Sequence, residues 1–290
     1  MEITLKNVGY RYKNKKVLEL GFDKLSTYGI MKDYSNEVLD HINWKIEDNH
    51  ITGITGEYKT LLCEIIDATS LSFNGNIIVG EIPLIKENLK VIRKEVSLIH
   101  QNAFDQFFTD NVIEEFTFLI SRLSYQPKDI TKKIDQSLEM VGLNKSCLNK
   151  KIKSLSSGEK KLLQVAISLI YNPSIIIFDE PFVELDYSNQ KKLIKLIKAL
   201  KEKYHKTVII ASNNANILYE ITDDIVILKK GRILAADNTI KVYQNTNLLK
   251  ENEVDVPDLI KFTMLAKEKK VKLSYHRDIR DLIKDVYKHV

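Results

Sequence analysis

Cysteine is scarce: two residues in a chain of 290. Cys63 and Cys147 sit inside helical patterns and form no metal-ligand or disulfide spacing. That argues against a disulfide-stapled scaffold and for a reducing cytosol. Long apolar runs are missing too. The longest uncharged run, Leu162–Phe178, is broken by Gln164, Asn172 and Pro173. It reads as core helix, turn and core strand, not as a membrane span. Met1–Tyr10 alternates like a strand and lacks a signal-peptide core. Strong charge of either sign is absent. The net charge of +5 is spread over lysine-rich helices and reads as solvated surface, suited at most to an anionic membrane face and not to nucleic acid. No internal repeat or low-complexity tract is visible. These absences predict a soluble protein whose membrane role, if any, comes through a partner.

Hydrophobic residues make up 44% of the chain, enough for a sizeable core. The length suggests one large domain with an appendage, or two domains. Periodicity predicts strands at Ile3–Tyr12, Val38–Ile46, Ile51–Ile54, Ile77–Val79, Val96–Ile99, Ile175–Phe178, Val208–Ala211, Ile225–Leu228 and Arg232–Ala235. Helical spacing covers Lys59–Ala68, Phe104–Leu123, Lys132–Val141, Ser156–Tyr171 and a face marked by Leu193, Ile197, Leu200 and Tyr204. Such alternation predicts a mostly parallel sheet covered on both faces. Lys13–Glu37 reads as an extended hairpin or loop. From about Lys241 the β pattern stops, and two helices follow, one starting at Val256-Pro257-Asp258 and one over Asp278–Tyr287.

Two segments carry chemistry together. Ser154–Glu159 puts a serine hydroxyl and a glycine amide at a helix start, where phosphate is attracted. Ile175–Pro181 is a buried strand ending in Asp179 and Glu180, which can hold magnesium and orient water. Either half alone reads as a capped core helix followed by a core strand ending in acids. In this order they point to a nucleoside triphosphate at the edge of a parallel sheet. Upstream, Gly53-Ile54-Thr55-Gly56-Glu57-Tyr58-Lys59-Thr60 lies between a strand and a helix, the context for G-x-x-x-x-G-K-[ST]. Its amides would cradle phosphate, Lys59 would reach the β/γ oxygens and Thr60 would ligate magnesium. Tyr58 stands where a glycine is expected. A side chain in the left-handed torsion of such a loop costs about 1–2 kcal/mol.

In order, spacing and flanks, these segments resemble the ATP-binding cassette (ABC) ATPases over roughly Ile3–Asp237. The resemblance implies an α/β P-loop NTPase with a RecA-like core, an antiparallel β subdomain and an α-helical subdomain near residues 105–154. The cassette would span 1–240 and a small C-terminal helical extension 241–290. ATP and Mg2+ are the implied ligands. Tyr12, Gly53, Gly56, Tyr58, Lys59, Thr60 and Leu61 would bind nucleotide, with Tyr12 stacking on adenine. Thr60, Gln101 and Asp179 would serve the metal, and Glu180 would be the general base. Asn213 occupies the place of a histidine that contacts the γ-phosphate; it can donate a hydrogen bond but carries no charge. Leu155, Ser156, Ser157, Gly158 and Glu159 match the signature that completes a partner's site. Ser157 and Glu159 stand where a glycine and a glutamine are usual. Glu184-Leu185-Asp186 matches the loop after the base, which lies across the dimer interface.

Two further segments are similar to the energy-coupling-factor branch of vitamin and metal importers. One is Gln106-Phe107-Phe108, which would pack on a membrane subunit, and the other is the tail Asp255–Phe262. The branch implies an ATPase subunit at the cytoplasmic face of the cell membrane. Its partners would be a second ATPase, in a heterodimer, a transmembrane scaffold and a substrate-binding membrane subunit. The departures at Tyr58 and Asn213 keep an alternative open, a catalytically impaired structural subunit that lends its signature to a partner.

Overall fold

The computed structural model of the chain describes residues 1–11, 37–101, 107–121, 127–183 and 185–288. The first half runs β1 (Ile3–Arg11), β2 (Glu37–Ile46), β3 (Ile51–Gly56), α1 (Lys59–Ile66), β4 (Phe73–Val79), β5 (Ile82–Pro83), α2 (Leu89–Glu95), β6 (Val96–Ile99), α3 (Val112–Ile120) and α4 (Pro127–Val141). Then come α5 (Ser157–Leu169), β7 (Ile175–Asp179), α6 (Tyr187–Glu202), β8 (Thr207–Ala211), α7 (Ala215–Ile221), β9 (Asp224–Lys229) and β10 (Arg232–Asn238). Four helices close the chain: α8 (Thr239–Gln244), α9 (Thr246–Glu251), α10 (Asp258–Glu268) and α11 (Ile279–Tyr287).

Among the described residues the strands form two sheets. The larger has the order β10-β9-β3-β8-β7-β6, parallel except for the β9–β10 hairpin. The smaller is antiparallel, in the order β2-β1-β4-β5. The central strands β7 and β8 are unbroken apolar runs over Ile175–Phe178 and Val208–Ala211 because both faces are covered. Side chains alternate between faces with period two. Ile176, Phe178, Val208, Ile210, Ile225 and Ile227 join a core with α5 and α6. Ile175, Ile177, Ile209, Val226 and Leu228 join a second core with Leu62, Ile65 and Ile66 of α1 and with Ile3, Leu5 and Ile42 of the smaller sheet. Each such side chain, fully buried, contributes about 1.5–3 kcal/mol. Because β6, β7, β8 and β3 run parallel, their C-terminal ends share one edge. Gln101, Asp179 and Glu180, Ser212 and Asn213, and the Gly56–Thr60 turn all follow from that edge.

The C-terminal helices pack into the first core. Tyr243, Leu249, Val256 and Ile260 are buried there with Leu218 and Tyr219 of α7. The rings of Tyr219 and Tyr243 meet edge to face at 5.9 Å. Asp258 N–H donates to Asn216 Oδ1 at 2.7 Å, and Arg277 Nη1 donates to the Thr222 carbonyl at 2.7 Å. No helix among the described residues is long and apolar enough to cross a membrane.

Three local expectations change. The helix predicted from Phe104 starts at Val112 instead, because the amides of Phe108 and Thr109 donate to the buried Glu115 carboxylate at 2.9 and 2.8 Å. The segment before α3 is also paired to the run before α5: Ile152 N–H donates to Asp110 O at 2.8 Å and Val112 N–H to Lys150 O at 3.2 Å. Strand β4 begins at Phe73 and not at Ile77, since its polar start Asn74-Gly75-Asn76 pairs with β1. The short helices α7, α8 and α9 are too brief to show a period; asparagines at 214, 238 and 245 cap them. The predicted hairpin or loop at Lys13–Glu37 lies outside the described residues apart from Glu37, which opens β2.

Candidate functional site

The site begins where β3 ends. Gly56 has φ +99°, and a Cβ there would lie 2.0 Å from the Leu228 carbonyl oxygen on β9. Tyr58 follows in the left-handed region, φ 61° and ψ 18°, and α1 starts at Lys59. The torsion is the one for which a glycine is expected; Tyr58 meets it with its side chain 42% exposed. The first turn of α1 carries no side-chain cap and no acidic residue. An uncapped helix N-terminus presents unpaired amides to an anion. Leu61 is buried, so it brings only its backbone N–H. Gly53 lies inside β3, where an added Cβ would lie 3.2–3.3 Å from Thr222, Ile225 and Leu218. Close packing against α7 and β9 accounts for glycine at that position.

Charged groups converge on this turn. Lys59 Nζ lies 3.1 Å from Glu180 Oε1, with the two side chains 13% and 16% exposed. Thr60 Oγ1 donates to Asp179 Oδ1 at 3.0 Å. Burial pushes the Asp179 carboxyl above the usual range, against the opposing pull of the Thr60 hydroxyl and Lys59. A cation would relieve that cost. A hydroxyl beside a buried carboxylate is a donor set that suits a hard, oxygen-seeking ion such as Mg2+, which keeps waters and takes further oxygens from phosphate. Among the described residues no group of three or more His, Cys, Asp or Glu could hold a metal by itself.

Glu180 is held by the end of β8. Its backbone has φ +42°, and its N–H donates to Ala211 O at 2.8 Å. Ser212 Oγ donates to Glu180 Oε2 at 3.0 Å, and Asn213 N–H donates to Oε1 at 3.2 Å. The Asn213 side chain turns its oxygen to the phosphate-type loop, accepting from Gly56 N–H at 3.4 Å. Sequence reasoning singled out Asn213 and missed Ser212. The available signal was a serine directly after an unbroken buried strand.

The signature residues bond among themselves and pack closely against α6. Ser156 caps α5, accepting from Glu159 N–H at 3.2 Å, and Glu159 Oε2 accepts from Ser156 N–H at 2.8 Å. The Ser156 amide, with Lys150 at 3.7 Å, holds the Glu159 carboxyl below its usual range. Leu155 is buried beneath, and Ser157 is the first helical residue. A Cβ on Gly158 would lie 2.5 Å from the Asn189 side chain, which bonds Asp186, the cap of α6. Lys161, on the same helix, donates to the carbonyls of His100 and Gln101 at 2.9 and 2.7 Å. Gln101 itself is exposed. Phe107 and Phe108 line a cleft of about 320 Å³ with His100, Leu119, Gln164 and Ile167. Tyr12, Gln106 and Glu184 lie outside the described residues.

The ABC transporter family model matches residues 39–183, half of the chain. The chain belongs to the ABC transporter ATP-binding family. A second, shorter match, to the RQC domain, covers residues 11–60 of this ABC protein and overlaps the first; from 37 onward it falls on β2, β3 and the start of α1. A putative ABC transporter ATP-binding protein of Pyrococcus furiosus is 34% identical over 231 residues, 79% of this chain and 84% of that one. An energy-coupling factor transporter ATP-binding protein of Caldanaerobacter subterraneus is 29% identical over 240 residues, 81% of this chain and 83% of its own. Among solved structures, cbiO1 of Clostridium perfringens, part of the ABC transporter complex cbiONQ, superposes with a TM-score of 0.71 at 20% identity, covering 90% of this chain and 98% of that one. At that identity the likeness speaks for the fold alone. The α/β ABC ATPase fold is the one expected from the sequence.

Proposed function

We propose that this chain is the ATP-binding, ATP-hydrolysing subunit of an energy-coupling-factor-type ABC importer, powering uptake of a vitamin or metal ion through membrane partners. The convergence of Lys59, Thr60, Asp179 and Glu180 at one sheet edge beside the uncapped start of α1 carries the reading. Relatives named as energy-coupling factor subunits supply the branch. In this reading the amides from Gly56 to Leu61 and the Lys59 ammonium bind the phosphates. Tyr12 stacks on the base. Thr60, Asp179 and Gln101 hold Mg2+, which neutralises phosphate charge when bound. Phosphate draws Lys59 off Glu180, and the freed Oε1 accepts a proton from the attacking water.

The domain plan that goes with this is a cassette over 1–240 and a helical extension over 241–290. The signature Leu155–Glu159 would complete the site of a second ATPase subunit, in a heterodimer. Phe108, 71% exposed at the rim of the Phe107 cleft, would receive a helix of the transmembrane scaffold, and Gln106 is proposed for the same contact from its sequence motif alone. A substrate-binding membrane subunit completes the assembly at the cytoplasmic face of the membrane, where the chain is peripheral; nucleic acid has no part in it. The test is co-purification from membranes with scaffold and substrate-binding subunits, with ATPase activity in the purified complex. Phe108→Ala should release the chain from membranes with its circular dichroism unchanged. Retention of that variant at the membrane would place the groove elsewhere.

Tyr58 and Asn213 favour a second reading, a structural subunit that lends Ser156 and Gly158 to its partner while its own site turns over little. In a reconstituted complex, Glu180→Gln would then leave most turnover intact while Ser156→Arg abolishes it. Equal damage by both variants would exclude this second reading.

A further inference from the structure

We propose that Ser212 is a positioning residue for the reaction, setting the plane of the Glu180 carboxylate through its hydroxyl. The proposal rests on the reading of Glu180 as the base. A serine hydroxyl has one proton and two lone pairs. Asn214 N–H donates to Ser212 Oγ at 3.2 Å, so that oxygen already serves as an acceptor. An ionised carboxylate can only accept, so the hydroxyl proton goes to Glu180 Oε2, 3.0 Å away. Asn213 N–H reaches the other oxygen, Oε1, at 3.2 Å. Donors on successive residues thus meet the two oxygens of one carboxylate and fix its rotation.

The strand end grips Glu180 at a third point, Ala211 O, which accepts the Glu180 N–H at 2.8 Å and steadies its left-handed backbone at φ +42°. Ala211 and Ser212 are 0% and 1% exposed, so the grip stands on a packed element. Lys59 is the remaining donor to Oε1, and it is the one that phosphate would remove. Of the three contacts from Ala211–Asn213, two are backbone. The hydroxyl of Ser212 is the one that a side-chain substitution can delete. In the reaction the water oxygen bonds the γ-phosphorus, its proton passes to the carboxylate, and the bond to the bridging oxygen breaks with its electron pair leaving on ADP. A carboxylate free to rotate about its side-chain bonds would meet that proton less often.

The test uses the assembled complex, with the partner ATPase's own base carboxylate replaced by glutamine so that the turnover left comes from the Glu180 site. Ser212→Ala and the near-isosteric Ser212→Cys should lower kcat about ten- to hundredfold, the range for a misplaced reacting group. KM for ATP should stay within about twofold, and Ser212→Thr, which keeps the hydroxyl, should retain most of the rate. Wild-type kcat in Ser212→Cys, in a complex where Glu180→Gln abolishes turnover, overturns the positioning role alone. A parallel loss of kcat and nucleotide affinity that tracks a lowered melting temperature in the Ala and Cys variants, with no recovery in Thr, also overturns it and marks Ser212 as structural. If Glu180→Gln leaves this turnover unchanged, Glu180 is not the base, and the role of Ser212 falls with that reading.

Discussion

Glu159 reaches back over the first turn of α5 to accept the Ser156 amide at 2.8 Å, while Ser156 accepts the Glu159 amide at 3.2 Å. These reciprocal bonds form a capping box and pin the helix start. They also leave an ionised carboxylate at the N-terminus that would otherwise favour an approaching anion. Glu159→Gln keeps an acceptor there and removes the charge. We expect ATP-driven association with a partner ATPase to tighten about three- to tenfold, and chain stability to fall by under about 1 kcal/mol. Sedimentation with and without Mg-ATP reads the first, denaturant unfolding the second. Weaker ATP-driven association in the variant would contradict the charge argument.

The Lys59–Glu180 pair is mostly buried, so nucleotide must compete with Glu180 for the lysine. Glu180→Gln should tighten ATP binding by about tenfold, equal to about 1.4 kcal/mol. The same change should lower the stability of the nucleotide-free chain, because the buried ammonium loses its counter-charge. Isothermal titration with and without nucleotide, alongside melting curves, checks both signs. Loss of affinity would show that Lys59 is not held back by its partner.

Tyr58→Gly relaxes a left-handed side-chain-bearing residue at the start of α1. The relief, about 1–2 kcal/mol, is partly offset by the greater freedom of glycine in the unfolded chain. The expected net is a stability gain below about 1 kcal/mol and tighter ATP binding, on the order of tenfold. A lower denaturant midpoint would mean that Tyr58 makes contacts worth more than its strain.

Asp67 closes α1 in a setting where burial pushes its carboxyl up to about 6, against the Thr69 hydroxyl and Arg93, which pull it down. In the unfolded chain it ionises at the ordinary value of 3.8. Stability from this group is therefore present below pH 4 and is lost as pH rises through about 6. Asp67→Asn should flatten the stability profile across that window and stabilise the chain at pH 7 by about 2–3 kcal/mol. Chemical denaturation at pH 4, 5, 6 and 7 measures it. An unchanged slope in the variant would assign the pH dependence elsewhere.

What could be read in advance follows from how much of the chain a feature occupies. β7 and β8 are unbroken apolar runs, and their burial on both faces is written in every residue from Ile175 to Phe178 and from Val208 to Ala211. The torsion at Tyr58 was legible because a glycine belongs there. The start of α3 was not. Phe107 does pack against the core, as its helical spacing suggested, but a single buried carboxylate, Glu115, takes the amides that a longer helix would have used. Ser212 was hidden for a similar reason: one hydroxyl has no period, and its partner Glu180 follows a different strand, β7. Val256 and Ile260 follow the point where the β pattern stops, yet they pack in the same core as the strands.

Gly53 and Gly56 have their space taken by the protein itself, Gly53 by Thr222, Leu218 and Ile225 and Gly56 by the Leu228 carbonyl. A descendant of this chain that had stopped holding nucleotide altogether would still need Gly56, where a Cβ would strike backbone, while at Gly53 three side chains would have to give way by a few tenths of an ångström. Position 58 faces outward and is free of that demand. Gly56 is therefore a requirement of architecture, and the residues from 58 onward, Tyr58, Lys59 and Thr60, carry the information about what the loop is for.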